Sequence, residues 1–428
     1  MEFLEKDVTV VYRSPQPARV YAYSPYITVL KSGRYVYTND IGGPGIKDLD
    51  EWKQSGSTAM FGQIFTSDDK GKTWQYKCAR NFIFGRTIEG EGALYLIGVI
   101  HNEGRCEDLI VFKSSDDGDT WDMGTLLTKG ESWHQAPCSV WIEDGYVTLV
   151  MERCFNFAGE VTSGWNVSSL APVVMRAKLD KDLTKKENWI FSNEVRFRDV
   201  INDDDLDMHG IPFFHTMAHR NELPKGTDLT EIPGWLESNI VKIKDETHYW
   251  YDENGKTFHI FMRAHTAGTG YCCVMKAVIT EEDGKEKITV MPQTSPSGRK
   301  VVYLPMPGGQ MRFHVVYDEK TKLYWLLSTQ ATDSMRRKEC LSKERFNIPC
   351  DERDRLQLSF SKNMVDWCFA GLVAKGDSEK QSRHYAGLTI DGDDLLVACR
   401  SGDKDTSSAH DTNLSTFHRI KNFRDLVY

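Results

Sequence analysis

The chain is written in short apolar runs. Segments rich in β-branched and aromatic residues alternate with clusters of Gly, Asp and Asn from one end to the other. Apolar residues at helical spacing are scarce. Runs of this kind predict strands, and they gather in fours. The first group covers 26–30, 34–38, 61–66 and 74–78, and the second 82–87, 93–99, 109–113 and 121–127. The third covers 136–142, 146–151, 172–179 and a short strand at 189–191. The fourth covers 238–243, 258–263, 271–279 and 287–291, and the fifth 312–317, 324–328, 356–360 and 367–372. The sixth covers 386–390, 395–399, 413–416 and 418–420. Residues 8–12 predict a further strand that joins a neighbouring group and closes a ring. One stretch breaks the rhythm: 200–235, rich in Asp, His and Pro, between groups three and four. A loop of that length in a compact domain usually serves a function, and it is expected to form a lid or pocket wall.

Two turns repeat. Ser67-Asp68-Asp69-Lys70-Gly71-Lys72-Thr73-Trp74 and Ser114-Ser115-Asp116-Asp117-Gly118-Asp119-Thr120-Trp121 both read S-x-D-x-G-x-T-W. Asp and Ser side chains fold back onto backbone N–H groups, Gly supplies a positive φ, and Trp plugs the turn into the core. The stretches 361–367 and 186–189 look like decayed versions. Trp74 and Trp121 stand 47 positions apart, the length of one four-stranded propeller blade. The expectation is all-β: a six-bladed β-propeller spanning 1–428 as one domain, with 200–235 inserted between blades 3 and 4.

That topology sorts the polar residues. Strands run antiparallel from the axis outward, so first-strand starts and second-strand ends share one face. The repeated turns, between third and fourth strands, lie on the other face and mark scaffold. First-strand starts contribute Tyr23-Ser24-Pro25, Arg86, Trp133-His134, Trp235-Leu236-Glu237, Gln310-Met311-Arg312 and Arg383-His384-Tyr385. Second-strand ends contribute Asn39-Asp40, His101-Asn102, Glu152-Arg153, Arg263-Ala264-His265, Thr329-Gln330 and Arg400. Arg153, Arg263, Arg312 and Arg400 point to an anionic or sulfated ligand, because guanidinium matches carboxylate geometry.

Composition narrows the partners. Net charge is −9, from 53 basic and 62 acidic residues, which argues against nucleic acid. No apolar run reaches the ~18 residues of a membrane helix. The first residues lack a basic region followed by an apolar one, so the expected compartment is cytoplasmic. The ten cysteines are scattered without C-x-x-C and read as reduced thiols. His209, His215 and His219 beside Asp203, Asp204, Asp205 and Asp207 match no zinc spacing and read as a solvated loop rather than a Ca²⁺ site. No cofactor and no metal are expected. Oligomeric state stays open.

With its two turns, the stretch Ser24-Pro25-Tyr26-Ile27-Thr28-Val29-Leu30-Lys31-Ser32-Gly33-Arg34, Asn39-Asp40, and the ending from Ala409-His410-Asp411-Thr412-Asn413 to Phe417-His418-Arg419, the chain resembles the sialidase superfamily. Within it, the chain is similar to a bacterial exo-alpha-sialidase-like branch. The resemblance implies Tyr385 as nucleophile, Glu237 as its activating acid, and Arg263 and Arg312 as two of three carboxylate-binding arginines. It implies Asp40 as acid/base on the loop Gly42-Gly43-Pro44-Gly45, with Asp48 as an alternative. The first arginine of the family reads Tyr23-Ser24-Pro25 here, and the last second strand ends in Arg400 where the family has an orienting acid. The implied activity is a retaining exo-glycosidase on an acidic glycan other than ordinary sialosides. His134, Glu152, Arg153, His265, His384 and Arg400 complete the expected substrate-binding set. A polysaccharide lyase using His134 or His384, and a glycan-binding propeller without catalysis, are the other readings.

Overall fold

The runs form strands, and the strands pair in sequence order. The computed structural model describes residues 2–5, 7–102, 105–155, 167–202, 205, 234–266, 269–334, 336, 340–345 and 351–428. Its strands make six antiparallel sheets arranged as a six-bladed β-propeller. Blade 1 is Tyr21–Val29, Tyr35–Gly42, Phe61–Ser67 and Gln75–Arg80. Blade 2 is Ile83–Glu89, Leu94–Asn102, Arg105–Ser114 and Thr125–Leu126. Blade 4 is Trp235–Val241, Thr257–Ala264, Tyr271–Glu282 and Lys285–Thr294. Blade 5 is His314–Asp318, Leu323–Thr329, Arg355–Ser361 and Trp367–Lys375.

The core explains why the strands do not alternate. A blade's inner strands are covered on both faces by the neighbouring blades, so every residue of Phe61–Ser67 and of Trp235–Val241 is buried. The outer strand Gln75–Arg80 is mostly open. One apolar cluster fills each of the six interfaces between consecutive blades, including blade 6 against blade 1. Burial of this kind contributes about 25 cal/mol per Å² of apolar surface.

Two groups differ from the pattern read in the sequence. The first strand of blade 3 is split into Trp133–His134 and Trp141–Glu143. Pro137 between them has no N–H for the ladder. Tyr146–Cys154, Leu170–Lys178 and Trp189–Phe191 complete that blade. In blade 6, after Arg383–Asp391 and Asp394–Ser401, the runs 413–416 and 418–420 are one strand, Leu414–Ile420. Its outer partner is the N-terminal strand Asp7–Arg13, from Asp7 opposite Arg419 to Arg13 opposite Leu414. The expected closing strand is therefore the fourth strand of blade 6.

The repeated turns are built alike. Ser67 Oγ accepts from Gly71 N–H at 2.8 Å, and Asp69 accepts from Thr73 N–H at 2.9 Å and its hydroxyl at 2.6 Å. Ser114, Gly118, Asp116 and Thr120 repeat these contacts at 2.9, 2.9 and 2.6 Å. Gly71 has φ +86°, and a Cβ there would meet the Phe417 ring at 2.3 Å. Lys70, Asp117 and Met364 share the left-handed position. The third turn accordingly uses Ser361 and Asn363 as its side-chain acceptors. The segment at 186–189 is a different turn, a 3-10 helix Lys186–Asn188. Of the insertion 200–235, residues 203–204 and 206–233, with the three histidines, lie outside the described residues.

Ring closure has a titratable clasp. His418, buried on the last strand, bonds Glu5 through Nδ1 and Thr416 Oγ1 through Nε2 at 2.7 Å. Burial opposes its charge, but hydrogen bonds to Cys399 and Glu5 outweigh it and lift the pKa from 6.5 to about 9. A raised folded-state pKa stabilises fully below the unfolded value and is lost as pH rises through the folded one. Thermal unfolding followed over a pH series should therefore show stability falling between pH 6.5 and 9, by about 3 kcal/mol. Glu5→Gln should flatten that slope.

Candidate active site

The innermost strand is bent near its start in four blades. Register shifts interrupt pairing between Tyr23 and Tyr26, Ile83 and Arg86, Leu236 and Asn239, and His384 and Gly387. Inside each bulge one non-glycine residue has positive φ: Ser24 at 42°, Phe84 at 60°, Glu237 at 59° and Tyr385 at 48°. A bulge re-aims a side chain. A left-handed non-glycine residue costs about 1–2 kcal/mol and persists only where its surroundings hold it.

The hold comes from the preceding blade. Both oxygens of Asp40, on the second strand of blade 1, accept the Phe84 N–H of blade 2 at 3.1 Å. Glu152, on the second strand of blade 3, accepts the N–H and hydroxyl of Ser238 in blade 4 at 3.0 and 2.8 Å. Its other oxygen sits 2.9 Å from His134 Nδ1. Arg263, ending the second strand of blade 4, donates from Nε to the Gln310 carbonyl at 2.9 Å. In all three cases a second-strand end fixes the backbone at the next blade's first strand.

Arg263 also joins the two central residues. Its Nη1 donates to Tyr385 Oη at 2.9 Å and lies 3.4 Å from Glu237 Oε2. Glu237 is 2% exposed. The Tyr385 phenol is pushed above its ordinary pKa of 10 by burial first, then by the Glu237 charge, against the lowering pull of Arg263 and Arg353. At neutral pH it keeps its proton, and the Glu237 carboxylate is near enough to oppose its ionisation.

Two more guanidiniums flank the Tyr385 ring. Arg400 lies 5.3 Å from its centroid and 4.2 Å from that of Tyr23. Burial lowers the Arg400 pKa to about 10, which still leaves it charged at neutrality. Arg353 lies 5.8 Å from the ring centroid. It bonds Asp351 through Nε, and its Nη1 stands 3.0 Å from His384 Nδ1. A guanidinium only donates, so His384 accepts at Nδ1 and carries its proton on Nε2. Burial, then Arg353 and Arg400, hold His384 well below 6.5, in its neutral form. Tyr23 Oη donates to Asp411 at 2.8 Å, and Asp411 contacts His410 at the same distance.

Other expected site residues fall elsewhere. Asp40 lies within a strand, not on the glycine loop, and is fully buried. Burial, opposed by the Phe84 and Ser24 hydrogen bonds, raises its pKa to about 8. Asp48 is half-exposed and paired with Arg19 at 3.0 Å. Arg153 turns to Glu194 at 2.9 Å and the Ser132 carbonyl. Arg312 is 1% exposed, and its three guanidinium nitrogens meet no hydrogen-bond partner within the protein, so it is bonded to neither Tyr385 nor Glu237. His265 is buried beside Gly234. His134 packs edge-on against Phe84 at 5.1 Å. Arg353, His410 and Asp411 were not selected from the sequence. They precede the third strands of blades 5 and 6, and third-strand starts share the face of the first-strand starts, so the topology itself was the missed signal.

The six-bladed propeller recurs in solved structures. The chain is similar to a Penicillium chrysogenum alpha-L-arabinanase complexed with arabinobiose, at 11% identity over 99% of both chains with a TM-score of 0.52. It is similar to the Hadza microbial sialidase Hz136, at 12% identity over 97% of this chain and 68% of that one, TM-score 0.55. It also resembles a Trypanosoma rangeli sialidase in complex with sialic acid, at 13% identity over 100% of this chain and 61% of that one, TM-score 0.54. No family model and no curated protein matches the sequence. Likeness at these identities shows the fold.

If Glu152 holds the Glu237 bulge, its removal strands two buried donors. Glu152→Ala should lower stability by about 3 kcal/mol, read as a shift in the denaturant midpoint. Glu152→Gln, which keeps an acceptor at Ser238, should lose less than half of that.

Proposed function

We propose that this protein is a retaining exo-glycosidase acting on an anionic glycan, with Tyr385 as nucleophile and Glu237 as the base that activates it. The observation that carries the reading is the position of Arg263, bonded to Tyr385 Oη at 2.9 Å and 3.4 Å from Glu237. A phenol is a weak nucleophile until an adjacent base takes its proton. In the proposed first step Tyr385 Oη bonds to the anomeric carbon and the bond to the leaving oxygen breaks. The phenolic proton passes to Glu237. Water then attacks the anomeric carbon and gives its proton to the acid that had protonated the leaving oxygen, the bond to Tyr385 Oη breaks, and Glu237 returns its proton to Tyr385. Arg263 stabilises phenolate character on Oη as the proton leaves.

A neutral nucleophile suits an anionic substrate, because a carboxylate in its place would be repelled by the substrate's charge. Arg353 and Arg400 beside the Tyr385 ring supply the matching positive field. Two of the similar structures hold a saccharide by name, arabinobiose in one and sialic acid in the other, which supports a glycan as the ligand class. A lyase reading with His384 as base finds less support. That ring is buried, and its one lone pair faces Arg353.

Asp40 is the proposed acid for the leaving oxygen. With a pKa of about 8 it is protonated at neutral pH, as an acid must be. It is also wholly enclosed and braces Phe84, so a positioning role competes with the catalytic one.

Hydrolysis of a panel of aryl glycosides and acidic oligosaccharides tests the reading. Tyr385→Phe and Glu237→Gln should each lower kcat at least ~100-fold while the fold, followed by circular dichroism, is retained. An unsaturated product absorbing in the ultraviolet would make the protein a lyase. Binding without turnover on every substrate would make it a lectin-like propeller.

Leaving-group dependence separates the two roles of Asp40. Asp40→Asn should cut turnover of an oligosaccharide far more than that of a nitrophenyl glycoside, and wild-type activity should fall as pH rises through about 8. Equal losses on both substrates assign Asp40 to positioning alone.

A further inference from the structure

The connection between the first and second strands is short in five blades, at 30–34, 90–93, 144–145, 319–322 and 392–393. In blade 4 it runs from 242 to 256. It lies on the face of the repeated turns, opposite the Tyr385 site. His248 Nε2 sits 3.1 Å from the carbonyl of Asn363 in the third turn, and Asp245 pairs with Lys362 at 3.7 Å.

The segment is pre-shaped. Asp245 accepts from Thr247 N–H and hydroxyl at 2.9 and 2.7 Å. Trp250 N–H donates to His248 Nδ1 at 2.9 Å. Asp252 accepts from Asn254 and Lys256 N–H, both at 3.0 Å, and from the Thr257 hydroxyl at 2.8 Å. This frame presents three consecutive aromatic residues. Trp250 stacks on the buried His259 ring at 4.9 Å and 15°. Tyr249 is 95% exposed, the most exposed large hydrophobic residue among the described residues, and Tyr251 is partly open.

These rings border a concavity of about 700 Å³, a size that accepts a small ligand. Two buried polar side chains line it. His259 is 1% exposed and Gln293 5%. They interact with each other, but His259 Nδ1 and Gln293 Oε1 fall short of full hydrogen-bond geometry, which leaves both able to turn to a ligand. A buried polar atom without a partner costs about 1–3 kcal/mol unless something fills the place.

We infer that this concavity is a second saccharide-binding site, specific for neutral sugars, on the far face of blade 4. Aromatic rings offer flat apolar faces to the C–H side of a pyranose or furanose. Imidazole, amide and carboxylate groups donate to and accept from hydroxyls. Charge decides which sugars: Glu246, Asp252 and Glu253 outnumber the single Lys276 around the cavity, so an anionic sugar is repelled there. The arginine-lined axis on the opposite face has the reverse preference. The inference does not depend on the catalytic reading.

Native gels containing linear arabinan, galactan or polygalacturonate test it, with Tyr385→Phe as the background to prevent turnover. The Tyr385→Phe protein should be retarded by arabinan or galactan, and any retardation by polygalacturonate, which the axis can cause, should be unchanged by Tyr249→Ala or Tyr251→Ala. Adding Tyr249→Ala or Tyr251→Ala should weaken retardation about fivefold, the loss of ~1 kcal/mol of ring contact, with Tm unchanged. Free migration in both neutral gels overturns the inference. So does retardation that survives both tyrosine substitutions but disappears with Glu237→Gln, which places the glycan at the axis. Retardation by polygalacturonate that is lost with Tyr249→Ala or Tyr251→Ala overturns the neutral-sugar assignment.

Discussion

A left-handed residue in the middle of a strand has to be held there by something else. At the axis of this propeller, the end of one blade's second strand holds the start of the next blade's first strand. Asp40 bonds the Phe84 amide, Glu152 the Ser238 amide, and Arg263 the Gln310 carbonyl. The conformation that aims Glu237 is therefore a property of neighbouring blades in contact. Each such contact needs the ring to be closed, and closure rests on Asp7–Arg13 completing blade 6. The Glu5–His418 clasp lies at that closing strand. The geometry of the site is thereby tied to the stability of the whole ring.

Charge at the axis opposes charge elsewhere. The chain carries −9 overall, yet Arg263, Arg353 and Arg400 surround one tyrosine ring or its hydroxyl. Each is fixed by a different anchor: the Gln310 carbonyl, Asp351, and the His410 carbonyl. Guanidiniums suit this use because they stay charged when buried and present donors in a fixed plane. Their ring contacts add cation–π attraction that strengthens on desolvation. Donors fixed in this way need little reorganisation to meet an acceptor.

The two faces of the ring divide the labour. Three turns of one design, at Ser67, Ser114 and Ser361, staple the third strand of a blade to its fourth. They accept from backbone amides locally and leave the axis untouched. The same face carries the aromatic segment of blade 4, pinned to the third turn through His248. Scaffold and neutral-sugar concavity thus share one side, and the arginine-rich axis occupies the other.

How much of this was legible in the sequence follows from range. The repeated turns and the apolar runs depend on contacts within a few residues, so strands, blade count and the face of the site could be read directly. Register put Tyr385, Glu237 and Arg263 among the residues around the axis, because equivalent positions in different blades meet there, and the family resemblance singled out the three. Register could not say how deep a side chain lies. Asp40 reads as a loop acid and is a fully buried brace; Arg312 reads as a ligand grip and has no hydrogen bond. Nor could it supply Arg353, which reaches Tyr385 from outside the strands that were counted. The sequence by itself determined the propeller and the line of residues around its axis, since both are set by local periodicity. Only the tertiary structure decided which of those residues touch, because the left-handed bulges that aim them exist only when one blade is pressed against the next.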